Sequence, residues 1–160
     1  MKRRWLSISC LLLCATCLVL PTVFADGPDD AKVLKDLREM IAKVRTMSGP
    51  SMARTNAAEA ISQLTRNIDP KKVDDKTLRD LVSLLNIPDG SVRGWVAGAL
   101  GYLGPRAKMA VPALLRVIRE TGCPEIATGP LPSDAARVAL KRIGVTPPPD
   151  NCDMGLRIKK

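Results

Sequence analysis

Residues 88–118 read PDGSVRGWVAGALGYLGPRAKMAVPALLRVI, and the order of events within them decides the fold. Val92, Trp95, Val96, Ala99, Leu100 and Leu103 recur at spacings of three and four, which predicts a helix over 91–103 with one buried face. Pro88-Asp89-Gly90 makes the turn before it, and Gly104-Pro105 breaks the chain after it. A second apolar face starts at Pro112 and continues through Leu114, Leu115 and Ile118. Proline suits a first helical turn because the N–H it lacks would have no helical partner there. The first helix carries Gly94, Gly98 and Gly101, and each interior glycine costs about 1 kcal/mol against alanine. Propensity alone does not hold such a helix, so close packing must.

The same pattern echoes on both sides. Ala60-Ile61-x-x-Leu64, Ala99-Leu100-x-x-Leu103 and Ala139-Leu140-x-x-Ile143 follow one another at 39 and then 40 residues, with Ala57, Val96 and Ala136 in step one turn earlier. Leu81-Val82-x-x-Leu85 likewise stands against Leu114-Leu115-x-x-Ile118. A period near 40 belongs to two-helix solenoids, in which neither helix buries its face alone and stacked neighbours share a continuous core. Upstream, Val33, Leu34, Leu37, Met40, Ile41, Val44 and Met47 predict a helix over 31–47, with Lys32, Lys35, Arg38 and Lys43 on its outer side and Ser48-Gly49-Pro50 as its stop. Ser51 then caps a helix over 51–67 that buries Ala53, Ala57, Ala60, Ile61, Leu64 and Ile68. After a connector at 69–74, Asp75 is the expected cap of a helix presenting Leu78, Leu81, Val82 and Leu85.

The run Pro88-Asp89-Gly90-Ser91-Val92-Arg93, then Ala97-x-Ala99-Leu100-Gly101-x-Leu103-Gly104, then Ala110-Val111-Pro112-Ala113-Leu114-Leu115, resembles a HEAT-like repeat of the short kind found in bilin lyases, and the match extends over 51–120. Ala53-Arg54 falls 39 residues before Val92-Arg93, whereas Pro132-Ser133 replaces that pair in the third copy. The resemblance implies an all-α fold, a short α-solenoid of about two and a half helix pairs over 31–145. The helix at 31–47 caps one end and that at 133–145 closes the other. It also implies that the first helix of each pair lies on the convex side and the second lines the concave side. An irregular Pro/Gly insertion interrupts the array at 121–132, and 146–160 is a Pro-rich basic tail.

Residues 1–25 have the three parts of a secretory signal: Lys2, Arg3 and Arg4, an apolar run from Trp5 to Leu20, and small residues ending at Ala25. The run is short for a membrane span and is closed by Pro21. The expected mature chain is exported, periplasmic or extracellular, begins with a flexible leader at 26–30, and meets a membrane only through the signal during export. Without Lys2, Arg3 and Arg4 the 25 basic residues become 22 against 16 acids, a net charge near +6. That bias favours an acidic partner without bearing on the fold. Of the four aromatic residues, Trp5 and Phe24 leave with the signal, so Trp95 and Tyr102 alone serve the mature domain.

Histidine is absent, which removes Ser-His-Asp and Cys-His catalysis and the usual zinc sites. Asp29-Asp30 and Asp74-Asp75 stand where helix caps are needed, and Gly101-Tyr102-Leu103-Gly104 follows a helix and not a strand, so no phosphate loop is expected. No catalytic, cofactor or metal residues are assigned. Cys123 and Cys152 remain after the signal cysteines are lost, and in an oxidising compartment such a pair is most simply a disulfide. The candidate contact residues are Lys76, Arg79, Arg116 and Arg119, which lie off the apolar stripes and face the concave side if the family layout holds. The expected function is a non-enzymatic interaction module, monomeric, that binds a protein with an acidic surface. Binding of anionic polymer or lipid at the cell envelope, or service as an accessory subunit of an enzyme, are the alternatives. Nucleic acid is not expected, since stacking aromatics are scarce.

Overall fold

The computed structural model describes residues 29–121 and 130–149 of the chain. Among them the fold is all-α, with no strand: α1 (Asp30–Thr46), α2 (Met52–Asn67), α3 (Asp75–Leu84), α4 (Gly90–Tyr102), α5 (Val111–Thr121) and α6 (Pro132–Ile143), plus short 3-10 turns at Pro70–Lys72 and Gly104–Ala110. Cys123 and Cys152 lie outside the described residues. No described helix is long and apolar enough to cross a membrane.

Helix starts follow the chemistry of their caps. Ser51 accepts a hydrogen bond from the Arg54 N–H at 3.2 Å, as its place in the sequence predicts. Two caps differ from expectation. Asp74, and not Asp75, caps α3, because Asp74 sits three residues before Thr77 and accepts from both its backbone N–H at 3.0 Å and its hydroxyl at 2.7 Å. Asp89, expected in the turn, caps α4 by accepting from the Val92 N–H at 3.2 Å, so the helix begins at Gly90. The connector after Ile68 is also more ordered than expected, since Asp69 caps the 3-10 turn at Pro70–Lys72.

Helices α2, α4 and α6 form one row, with α4 in the middle in extensive contact with both neighbours. The other three cover it: α1 packs on α2, α3 on α4, and α5 on α6, while α1 and α3 also touch. Each covering helix inserts a pair of apolar residues one turn apart, Ile41 and Val44 from α1, Leu81 and Leu84 from α3, Leu114 and Val117 from α5, none more than 3% exposed. The core between the layers is built from Leu, Ile, Val and Ala.

Being packed on two sides changes which residues of α2 are buried. Ala53, expected inward, is exposed, whereas Arg54, Ala58, Ser62 and Thr65 are buried beside Ala57 and Ile61. Packed against α4 along the row and against α1 across the layers, α2 needs a second, small-residue face, and the apolar stripe alone does not mark it. Arg38, expected on a solvated face, instead bridges α1 to α3, donating to Thr77 Oγ1 at 3.1 Å and to Asp74 at 2.7 Å. Two turns later Arg45 repeats the bridge to Asp80 at 3.1 Å and Ser83 at 2.9 Å. The α1–α3 seam is therefore tied by charge-assisted hydrogen bonds along its edge.

The glycines of α4 are explained by what faces them. A Cβ at Gly94 would lie 2.1 Å from the Pro130 carbonyl oxygen, and one at Gly101 would lie 3.0 Å from the Ala139 Cα. At those two points α4 meets the α6 segment backbone to backbone, which no larger residue permits. The packing that compensates for poor helix propensity is thus contact that only glycine allows.

Candidate functional site

The four cations singled out in the sequence fall into two classes. Lys76 forms an ion pair with Asp80 at 2.9 Å, and Asp80 also holds Arg45. Those two partners, Lys76 before Arg45, keep the Asp80 carboxyl below its ordinary value of 3.8. Arg116 is also engaged, donating to Asn86 at the end of α3 and pairing with Glu120 at 3.6 Å. Glu120 is shared with Arg93 of α4 at 3.5 Å. Arg79 and Arg119 are exposed, and among the described residues they make no ion pair or side-chain hydrogen bond. Of the candidate contact residues, therefore, two bind their own chain and two are available to a partner.

Sequence reasoning did not anticipate a second feature on the row α2–α4–α6. A groove of about 400 Å³ runs between α4 and α6, with Gly94, Gly98 and Gly101 on its α4 side and Ala135, Val138 and Arg142 among its α6 residues. Trp95 and Tyr102, seven residues apart and so on one side of the helix, both line it. Trp95, expected inward, is only half-buried.

Tyr102 is clasped by two cations. Arg66 of α2 and Arg142 of α6 each place the guanidinium carbon 4.7 Å from the centre of the ring, within the range of cation–π attraction. Arg66 also donates a hydrogen bond to the phenolic oxygen. These contacts, led by the Arg66 hydrogen bond, push the phenol below its ordinary value of 10 against the opposing effect of burial. Neither arginine has a carboxylate partner among the described residues. Both described aromatics lie on α4 at a spacing of seven, and that spacing was the one sequence signal for this groove. The arginines come from helices 36 residues upstream and 40 downstream, so only the stacking reveals their meeting.

Compared with known proteins, the chain matches no family model, no curated protein and no solved structure.

Proposed function

We propose that this chain is an exported, non-enzymatic interaction module, a short solenoid of HEAT-like helix pairs that binds a protein partner through the concave surface formed by the solvent-facing sides of α3 and α5. The observation that carries the reading is the pair Arg79 and Arg119. Both are exposed and without ion pairs among the described residues, while Lys76 and Arg116 on the same helices are held by Asp80 and Glu120. Long charged side chains ordinarily cover solvated helix faces. What distinguishes these two is that the nearby acids Asp80 and Glu120 are engaged by Lys76, Arg45, Arg93 and Arg116, which leaves Arg79 and Arg119 available to an acidic group on a partner. The mature excess of basic residues supports an acidic partner surface. The repeat pattern and the signal-like start of the chain support the solenoid and its export.

Cross-linking capture from the native envelope fraction, comparing wild type with Arg79→Glu/Arg119→Glu, tests the reading. It expects a discrete protein recovered by the wild type and lost by the variant at moderate salt. Recovery of only polyanion or lipid, released steeply as salt rises, would replace the protein-binding reading with envelope binding. Intact mass tests export and the cysteine pair together: the mature protein should begin at Asp26 and be two hydrogens lighter than its reduced form.

A further inference from the structure

The α4–α6 groove has chemistry of its own. Packing accounts for Gly94 and Gly101 but not for Gly98, where a Cβ would meet only the Ser62 Oγ at 3.5 Å, an ordinary contact. Helix propensity disfavours glycine there, and no neighbour requires it. Its visible effect is to keep the groove open at its middle, between Trp95 and Tyr102. Val138 on the facing helix is 47% exposed, so the middle of the groove offers apolar surface to solvent.

The two ends differ in charge. At the Tyr102 end, Arg66 and Arg142 both stand 4.7 Å from one ring centre, hence within twice that distance of each other. They have no ion-pair partner among the described residues, where the Tyr102 ring is what stands between them. Towards the other end lies Asp134, exposed and also outside any ion pair among the described residues. Asp134 and Arg142 are eight residues apart on α6, about 12 Å at the helical rise. An extended peptide covers that length in three or four residues.

We propose that the α4–α6 groove binds a short extended segment of a partner protein, in which an acidic residue stands three or four positions from a basic one with an apolar residue between them. The acid pairs with Arg66 and Arg142, the base with Asp134, and the apolar side chain lies over Gly98 between Trp95 and Val138. This proposal shares with the reading above only the class of partner, a protein. It uses none of the residues on α3 or α5.

The test is selection of a displayed library of random nine-residue peptides on the full chain, followed by affinity measurement on variants. Enriched peptides are expected to carry the acid–apolar–base spacing and to bind Arg66→Ala/Arg142→Ala at least tenfold more weakly. Gly98→Leu should abolish binding. Asp134→Lys, at an exposed position that leaves the packing intact, should reverse the preference at the basic position and so provides a check independent of any folding defect in the leucine variant. Arg79→Glu/Arg119→Glu should bind the peptides unchanged, which separates this site from the other face. No enrichment, or enriched peptides indifferent to both the arginine pair and Asp134→Lys, would overturn the proposal.

Discussion

Arg54 reaches back from the start of α2 to the end of α1, where its Nε donates to the Val44 carbonyl oxygen at 3.2 Å. A second nitrogen donates to the Gly49 carbonyl oxygen at 3.1 Å, so one guanidinium satisfies carbonyls that the end of a helix and the following turn leave open. The residue is only 8% exposed. Arg54→Ala should destabilise the protein by about 2–3 kcal/mol, since hydrogen bonds from charged groups contribute more than neutral ones and their loss strands buried acceptors. Arg54→Lys should recover little of this, because an ammonium cannot reproduce the fork geometry. Denaturant melts of the two variants check it; a lysine variant as stable as wild type would contradict it.

Asp74 joins a helix cap to a bridge between helices, and its pH dependence follows. The hydrogen bond from Arg38, then those from Thr77, hold its carboxyl well below the ordinary 3.8 in the folded protein. A carboxylate depressed on folding stabilises the fold fully above its unfolded value and loses that contribution as pH falls towards the folded one. Melting temperature should therefore fall as pH drops below about 4. The drop should be shallower in Asp74→Asn, which keeps a capping oxygen but not the titration. Asp74→Ala should lose about 1 to 2 kcal/mol at neutral pH through the cap.

The only tyrosine of the chain reports on the two arginines beside it. Ultraviolet titration of Tyr102 should give a midpoint below 10 in the folded protein, with Arg66→Ala moving it back upward more than Arg142→Ala does, since the Arg66 hydrogen bond is the larger cause. A wild-type midpoint at or above 10 would contradict the clasped geometry.

The sequence made the helical elements legible because each left a local mark: periodic Leu and Ile for the buried stripes, Ser51 for a cap, Pro112 for a first turn. The cap of α3 lies one residue before the expected Asp75 because Asp74 and Asp75 are chemically alike, and the partners that distinguish Asp74, Thr77 and the distant Arg38, appear only in the fold. The buried small-residue face of α2 was missed for a different reason. Ser62 faces Gly98 of α4, and Ala58 and Thr65 share its side of α2, so their burial follows from stacking that no local pattern records. The candidate surface on α3 and α5 was half legible: the positions of Lys76 and Arg116 could be named, but not their capture by Asp80 and Glu120. The clasp on Tyr102 joins three helices, and the sequence offered only the spacing from Trp95 to Tyr102.

Helix α4 is held against the α6 segment by backbone contact at Gly94 and Gly101 and opens into a groove at Gly98. Thermal melts of the three glycine-to-alanine variants test it most directly. Gly94→Ala should be the most damaging, because its Cβ would lie 2.1 Å from a carbonyl oxygen. Forcing the helices apart there should destabilise by about 1–3 kcal/mol or more. Gly101→Ala should be destabilised less. Gly98→Ala, with room for its Cβ, should match wild type or gain up to about 1 kcal/mol from helix propensity. Equal effects at Gly94 and Gly98, or a stabilised Gly94→Ala, would contradict the packing of α4 on α6 and with it the groove.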